Sequence, residues 1–197
     1  MSLCLHADAK VTHRAGASAV RQQALQDILG AGYLDVIKGN ESEIRTVFGD
    51  ESSHQRGVDS SNIMTIPERA AMVQILASRK KTVVVMTGET DLVSDGQTTV
   101  RIDNGHHYLG QMTGSGCALG TAISAAVAAW PKDKLAATIA AILHYEIAAE
   151  LAAKAENVRG PGTFGVAFLD SLYHIREENS KGNSGWLQGA KVRPVVD

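Results

Sequence analysis

The sequence predicts an α/β fold with a mainly parallel sheet, and two observations support this class. Thr82-Val83-Val84-Val85-Met86 is an unbroken, mostly β-branched run, which is typical of a strand buried on both faces. A shorter strand is predicted at Leu34-Asp35-Val36-Ile37, and helical patterns precede, separate and follow the two strands. Strands that alternate with helices indicate helices packed on a parallel sheet.

The composition is that of an ordinary globular protein, and it narrows the possible partners. The chain has 197 residues, of which 44% are apolar, enough for one domain with a sizeable core. A net charge of −2 offers no basic surface, so we expect neither a nucleic-acid nor a membrane partner. The two cysteines, Cys4 and Cys117, favour a reducing cytoplasm over a disulfide scaffold. Charged residues within the apolar stretch 135–155 argue against a membrane span.

Cap signals place the helices of the first half of the chain. One helix is expected over 18–29. Asn40 caps a second helix that runs to about Phe48, and Glu43, three residues after the cap, completes an Asx-type capping box. A third helix is predicted over 66–79, with a proline in its first turn.

The second half is predicted to begin with a hairpin and to continue as helices. Asp91-Leu92-Val93-Ser94 and Thr99-Val100-Arg101-Ile102 flank Asp95-Gly96, a strong hairpin signal. The remaining predicted elements are a short strand at 106–109, helices at about 116–129, 133–155 and 164–176, and an irregular tail at 179–197.

The segment Gly114-Ser115-Gly116-Cys117 directly precedes the first of these helices and is a candidate anion site. Two glycines allow backbone angles that turn successive N–H groups toward one point. The helix N-terminus adds its own N–H groups and the positive end of its dipole. Such a site suits a phosphate or a transferring phosphoryl group, while the alternative is a plain glycine-rich turn.

Cys117 is expected in the first turn of that helix, where the dipole would favour a thiolate and lower the pKa of the thiol. The alternative is that Cys117 is a small buried residue, because unpaired cysteine is often buried.

Three further candidates follow the two predicted strands, where ligands collect in α/β folds. Thr87 offers a hydroxyl to a phosphate or nucleotide, although it could simply belong to a turn that ends the strand. Lys38 could meet a phosphate, and Glu43 could hold Mg²⁺ directly or through water. Capping by Asn40 and Glu43 is compatible with that role. The chain has no GxxxxGK[ST] loop, no GxGxxG segment and no HExxH spacing.

Seven short segments, in order and sensibly spaced, resemble the hydroxyethylthiazole kinases of the ribokinase-like superfamily. The resemblance runs from about Ala15 to Asp170 and implies a ribokinase-like three-layer sandwich. The segments are Ala15-Gly16-Ala17-Ser18, Lys38-Gly39-Asn40-Glu41-Ser42-Glu43-Ile44, Arg56-Gly57-Val58-Asp59-Ser60, Thr87-Gly88-Glu89-Thr90-Asp91, Asn104-Gly105-His106, Thr113-Gly114-Ser115-Gly116-Cys117 and Gly160-Pro161-Gly162-Thr163-Phe164.

The resemblance implies transfer of the γ-phosphoryl group of ATP to the hydroxyl of 4-methyl-5-(2-hydroxyethyl)thiazole, in thiamine salvage. By position, Lys38 and Thr87 would contact ATP, Glu43 would serve the Mg²⁺ and phosphate site, and Gly114 would contact the substrate. Cys117 stands where most of the superfamily carries an Asp base. Because phosphoryl transfer is mostly positioning and charge stabilisation, the Gly114–Gly116 backbone would be the main catalyst and Cys117 would orient the alcohol. The resemblance also implies a homotrimer.

The chain departs from the family pattern at its N-terminal end. Val11-Thr12-His13-Arg14 stands where the family has Asp-Pro-Val, so an acidic residue of the phosphate and Mg²⁺ site is missing. The long N-terminal part of the family domain is also missing. We therefore expect an unplaced segment at 1–13, the C-terminal part of a kinase domain at 14–178, and weak or no activity. The alternatives are a non-catalytic remnant that binds a nucleotide or a partner, and a related ribokinase-like small-molecule kinase.

Overall fold

The structure is a computed structural model that describes residues 5–6, 32, 34–49 and 64–195. The predicted helix over 18–29 lies outside these residues. The strands are β1 (Leu5–His6), β2 (Val36–Asn40), β3 (Val83–Thr87), β4 (Asp91–Ser94), β5 (Thr99–Ile102) and β6 (Val192–Pro194). The helices are α1 (Glu41–Gly49), α2 (Ile66–Lys80), α3 (Tyr108–Gln111), α4 (Ser115–Ala129), α5 (Lys134–Ala153), α6 (Pro161–Ser180) and a 3₁₀ helix (Gly185–Gly189).

The chain divides into two compact units. Unit 1 contains residues 1–100 together with 194–197, and unit 2 contains residues 101–193. The strands follow one another in the sheet in chain order, from β1 to β6. Strands β5 and β6 each include residues of both units.

The sheet of unit 1 begins with three parallel strands. β1 pairs with β2 and β2 with β3 in parallel, whereas β3 pairs with β4 in the antiparallel direction. Residues 83–86 of β3 are all buried, as expected for a strand covered on both faces. The predicted α/β class with a parallel sheet is therefore confirmed, and β4 and β5 occupy the ranges predicted for the hairpin.

Local signals explain the bounds of α2. Thr65 and Glu68 form a reciprocal capping box, in which the Thr65 amide donates to Glu68 Oε2 at 2.7 Å and the Glu68 amide donates to Thr65 Oγ1 at 3.4 Å. The helix ends at Lys81, whose left-handed backbone has φ 53°. Its apolar stripe joins a core of unit 1 that also includes residues of β2, α1, β3 and β4. The members of the stripe are Ala70, Val73, Leu76 and Ala77.

Unit 2 is mainly helical, and α5 is its central helix. By length and composition alone α5 could cross a membrane, but 61% of its most apolar window is buried inside the structure. Helices α4 and α6 both pack against it. α5 is therefore explained as the core helix of this unit.

The strand predicted at 106–109 is wrong, because the chain turns into the short helix α3 at Tyr108. The amides of Leu109 and Gly110 donate to the carbonyl oxygens of His106 and His107, at 2.9 and 3.1 Å. These i→i+3 bonds close a tight turn, which an extended strand could not form.

The tail after α6, predicted to be irregular, includes the 3₁₀ helix and β6. Hydrogen bonds to Asn104 hold this tail in place. Asn104 Nδ2 donates to the Gly189 carbonyl at 2.8 Å and to Glu150 Oε1 at 3.0 Å. The Lys191 amide donates to Asn104 Oδ1 at 2.7 Å. Burial tends to raise the pKa of Glu150, but the hydrogen bonds from Lys191, Asn104 and Gly105 outweigh it and leave this pKa below its usual value.

Replacing Gly96 by alanine should destabilise unit 1 by more than the strain of an alanine in a left-handed backbone conformation. Gly96 has φ +93°, and a Cβ there would lie 2.7 Å from the backbone of Ser78 on α2. Strain and overpacking together should lower the free energy of unfolding by about 2–4 kcal/mol. Gly182 is the control, because it has φ +80° but no atom within 4 Å of an added Cβ. Equal losses for Gly96→Ala and Gly182→Ala in urea unfolding would contradict this account.

Glu150→Gln should destabilise the protein by about 1 kcal/mol at neutral pH, because it removes the charge that the hydrogen bonds favour. A carboxyl with a lowered folded-state pKa stabilises the fold above its unfolded-state pKa, and this contribution disappears as the pH falls through the folded-state value. The difference between wild type and Glu150→Gln should therefore shrink in acid. Urea unfolding from pH 7 to pH 3 tests this, with the exposed Glu156→Gln as the control; a pH-independent difference would refute it.

Candidate active site

The first group of predicted site residues lies at the carboxyl ends of β2 and β3 in unit 1. In the parallel register Asn40 lies opposite Thr87, and Lys38 lies opposite Val85. Thr87 Oγ1 donates to the Gly39 carbonyl at 3.4 Å, which holds the hydroxyl beside the end of β2. Lys38 is only 9% exposed. A cation and a hydroxyl are thus presented by neighbouring strands.

Glu43 is held at the same edge by the capping box predicted from the sequence. The Asn40 amide donates to Glu43 Oε2 at 2.8 Å, and the Glu43 amide donates to Asn40 Oδ1 at 2.9 Å. A Cβ on Gly39 would lie 2.9 Å from the Glu43 Cβ, so the first turn of α1 approaches β2 this closely only because residue 39 is glycine.

Glu43 is the residue of this edge that could hold a divalent cation. Among the described residues, no three His, Cys, Asp or Glu side chains lie close enough to form a metal cage. Mg²⁺ generally binds through one or two carboxylates, with phosphate and water completing its shell. The carboxylate of Glu43, which is only 9% exposed at the carboxyl end of β2, is a ligand of the kind that this mode uses.

Arg69 is a basic residue near this edge that the sequence analysis missed. Its Nη1 lies 3.6 Å from the position of a Cβ on Gly88, which directly follows Thr87. Its Nε is buried and has no hydrogen-bond partner among the described residues. No motif marks Arg69, and the proximity depends on how α2 packs along β3.

The second group of predicted residues lies at the start of α4 in unit 2. Gly114 caps the helix with φ +94° and ψ −6°, a conformation that L-residues rarely adopt. No atom lies within 4 Å of an added Cβ, so the requirement for glycine is conformational. The Ser115 hydroxyl donates to the Leu109 carbonyl at 2.7 Å, and the Ser115 amide donates to the Met112 carbonyl at 3.2 Å. These bonds fix the chain just before the helix.

Gly116 and Cys117 occupy the first turn of α4. The first intrahelical bond runs from the Ala118 amide to the Gly114 carbonyl at 2.9 Å, so the preceding N–H groups lie at the positive end of the helix. The first turn carries no acidic side chain that would compensate this charge. Cys117 is half-buried and forms no disulfide. The arrangement is suited to an anion.

Aromatic side chains line α5 and α6 near this turn. The Tyr145 hydroxyl donates to the Ser115 carbonyl at 2.8 Å. The Phe168 ring meets the Tyr145 ring edge-on, with centroids 4.8 Å apart, and Phe164 stacks on Phe168 at 5.7 Å. His106 lies 5.8 Å from Phe164, and burial, followed by the charge of His107, lowers the pKa of His106.

A separate groove in unit 2 contains none of the predicted residues. Its volume is about 340 Å³, and its walls come from α5, α6 and the 3₁₀ helix with the turn before it. The lining residues are Leu151, Ser171, His174, Ile175, Glu178, Asn183, Gly185 and Trp186.

Comparisons with known proteins agree with the motifs. The model of the hydroxyethylthiazole kinase family matches residues 13–178. A probable thiamine biosynthetic bifunctional enzyme of Schizosaccharomyces pombe is 42% identical over 183 residues, covering 90% of this chain and 35% of that protein. A hydroxyethylthiazole kinase of Moorella thermoacetica is 41% identical over 180 residues, covering 91% of this chain and 62% of the relative.

Solved structures are similar to this chain as well. The structure of a hydroxyethylthiazole kinase from Pyrococcus horikoshii has a TM-score of 0.74 and 34% identity, and the match covers 92% of this chain and 63% of that one. YxkO of Bacillus subtilis, at 17% identity and a TM-score of 0.54, shares the fold. The chain spans less than two thirds of the length of these relatives. It belongs to the hydroxyethylthiazole kinase family, as the order of its seven motifs predicts.

Proposed function

We propose that this chain takes part in the ATP-dependent phosphorylation of the hydroxyl of 4-methyl-5-(2-hydroxyethyl)thiazole in thiamine salvage, in the cytoplasm. The observation that carries the proposal is the start of α4. There a left-handed Gly114 leads into a first turn that lacks acidic side chains and contains Cys117. Membership of the family supplies the substrate class.

In this reaction the residues mainly position the reacting groups and stabilise charge. The alcohol oxygen attacks the γ-phosphorus, and the bond from this phosphorus to the β–γ bridging oxygen breaks, releasing ADP. The alcohol proton leaves to the thiolate form of Cys117 or to solvent. Negative charge on the transferring group is stabilised by the positive end of α4 in the segment from Gly114 to Gly116, where the Ser115 amide itself donates to the Met112 carbonyl. Cys117 orients the alcohol, and Gly114 contacts the substrate.

Lys38 and Thr87 are assigned to ATP, and Glu43 to Mg²⁺. Glu43 would hold the ion, which would supply positive charge to the phosphates. The low exposure of Lys38 supports its assignment, because partial burial strengthens its attraction to a phosphate. Thr87 Oγ1 lies at the edge where the nucleotide would lie, and its hydrogen bond to the Gly39 carbonyl, at 3.4 Å, is long enough to be exchanged for one to a phosphate. We assign a homotrimer to the assembled enzyme, in line with the family resemblance.

Two other functions remain as outcomes of the test. One is nucleotide binding without turnover. The other is phosphorylation of a different alcohol by a related ribokinase-like kinase. Cys117 favours the thiazole alcohol over the second alternative, because the other kinases of that superfamily usually carry an aspartate at this position.

A binding measurement combined with a turnover measurement tests the proposal. Calorimetry with ATP–Mg²⁺ reports binding, and a coupled ADP assay at high protein concentration reports turnover with the thiazole alcohol, a hydroxymethylpyrimidine or a sugar. We expect ADP release that depends on the thiazole alcohol and is slow, in keeping with the weak activity expected from the sequence. Binding without such release would identify a nucleotide-binding protein, and release with another alcohol would identify a different kinase; either result would overturn the proposal.

Gly114→Ala should lower thiazole-dependent turnover about 100-fold or more, because an alanine cannot easily keep φ +94° and the N–H groups of the turn lose their alignment. Gly110→Ala is the matched control, since an added Cβ there meets no atom within 4 Å and its φ is not positive. Similar losses in both variants would show that the turn is not the catalytic element.

Arg69→Met should weaken binding of ATP–Mg²⁺ about tenfold, because the Arg69 guanidinium, which lies beside Gly88, would donate a charge-assisted hydrogen bond to phosphate. Arg79→Met is the control, since Arg79 lies in the last turn of the same helix with its guanidinium over Phe48. Calorimetry measures both variants, and unchanged affinity in Arg69→Met would exclude Arg69 from the nucleotide site.

A further inference from the structure

We propose that Tyr145 is a positioning residue for the start of α4. By donating to the Ser115 carbonyl, its hydroxyl holds the Gly114–Cys117 turn in the orientation that the reaction requires. The catalytic part of this inference depends on the proposed function, whereas the positioning of the turn can be tested without any turnover.

The hydrogen bond acts at the N-terminal end of α4, where it adds to the bonds that the Ser115 amide and hydroxyl donate to Met112 and Leu109. Ser115 is the first residue of α4, and helix ends fray because their first N–H groups lack intrahelical partners. A carbonyl oxygen has two lone pairs, so the Ser115 carbonyl can accept from Tyr145 at 2.8 Å as well as within its own helix. The bond therefore ties the first turn of α4 to the central helix of unit 2.

The Tyr145 ring has little freedom to move its hydroxyl. Tyr145 is 4% exposed, and Phe168 packs edge-on against it with ring planes at 80°. Phe168 in turn stacks on Phe164 with ring planes at 5°. Rings packed in this way keep a single rotamer. Helix α6 therefore fixes the Tyr145 ring, and the hydroxyl of that ring fixes the Ser115 carbonyl through their hydrogen bond. A longer, flexible polar side chain could not place a donor as reproducibly.

The hydroxyl remains a donor at every physiological pH. Burial, and after it the negative charge of a Cys117 thiolate, raise the pKa of Tyr145 to about 12. The phenol therefore keeps its proton far above neutral pH. Cys117 lies two residues after Ser115 in the first turn of the same helix, so the hydrogen bond from Tyr145 acts on the part of the turn that carries the thiol.

A second buried hydroxyl on α5 allows the effect of the Tyr145–Ser115 hydrogen bond to be distinguished from the effect of removing any buried hydroxyl. Thr138 lies two turns before Tyr145 and is fully buried, but its Oγ1 has no hydrogen-bond partner among the described residues. Thr138→Val and Tyr145→Phe each remove one buried hydroxyl and keep the shape of the side chain. Only the second removes a bond to α4.

The test is the pH dependence of Cys117 alkylation by iodoacetamide, in the full chain with Cys4→Ser as background. A dipole aligned on the thiol favours the reactive thiolate. In Tyr145→Phe we expect the midpoint of the alkylation profile to move to higher pH, with the rate at neutral pH about threefold to tenfold lower. Thr138→Val should leave the midpoint where it is. Circular dichroism confirms that each variant is folded.

An unchanged midpoint in Tyr145→Phe would overturn the proposal, whatever the absolute rate. The turn would then keep the Cys117 thiol in place without the hydrogen bond from Tyr145. An equal shift in Thr138→Val would also overturn it, because loss of any buried hydroxyl would then suffice. Alkylation requires no ATP and no thiazole alcohol. A shifted profile in a protein without kinase activity would therefore reject the proposed function and keep the role of Tyr145.

Discussion

The parallel pairing of β2 with β3 is the constraint on which the candidate nucleotide edge depends. Burial of the apolar side chains of β3 on both faces fixes this strand in the sheet, and the register then sets Asn40 opposite Thr87. Because α1 begins directly after β2, the same register also places the Glu43 carboxylate. A shift of one residue would turn every side chain of β2 to the other face and disperse the group.

The candidate sites proposed in the two units would stabilise negative charge in different ways. At the edge of unit 1 the proposed groups are side chains, namely a lysine, a threonine, an arginine and a carboxylate for a cation. At the start of α4 the proposed group is the backbone, with a left-handed glycine and a helix end. Backbone groups need no side-chain ordering when a ligand binds, whereas long cationic side chains lose rotamer freedom. The second arrangement is therefore the better preorganised of the two.

Features set by neighbouring residues could be predicted from the sequence, and features set by packing could not. The Asn40–Glu43 capping box, the hairpin strands and the helix opened by Gly114 all follow from signals within four residues. The strand expected at 106–109 failed because two i→i+3 bonds outweighed its β-propensity. Arg69 lies beside Gly88, 19 positions away in the sequence, and Tyr145 donates to Ser115, 30 positions away. No local pattern encodes such contacts, because they arise only when whole helices dock.

The bonds of Asn104 determine how far the C-terminus can be shortened. Its amide is buried and depends on Gly189 and Lys191 for two of its hydrogen bonds. A protease cut or a stop codon before residue 189 would remove both partners and leave the amide with only its bond to Glu150. The energetic penalty of such an amide is of the order of 1–3 kcal/mol. Residues 189–191 are thus a structural part of unit 2, and expression designs that end before them would lower its stability.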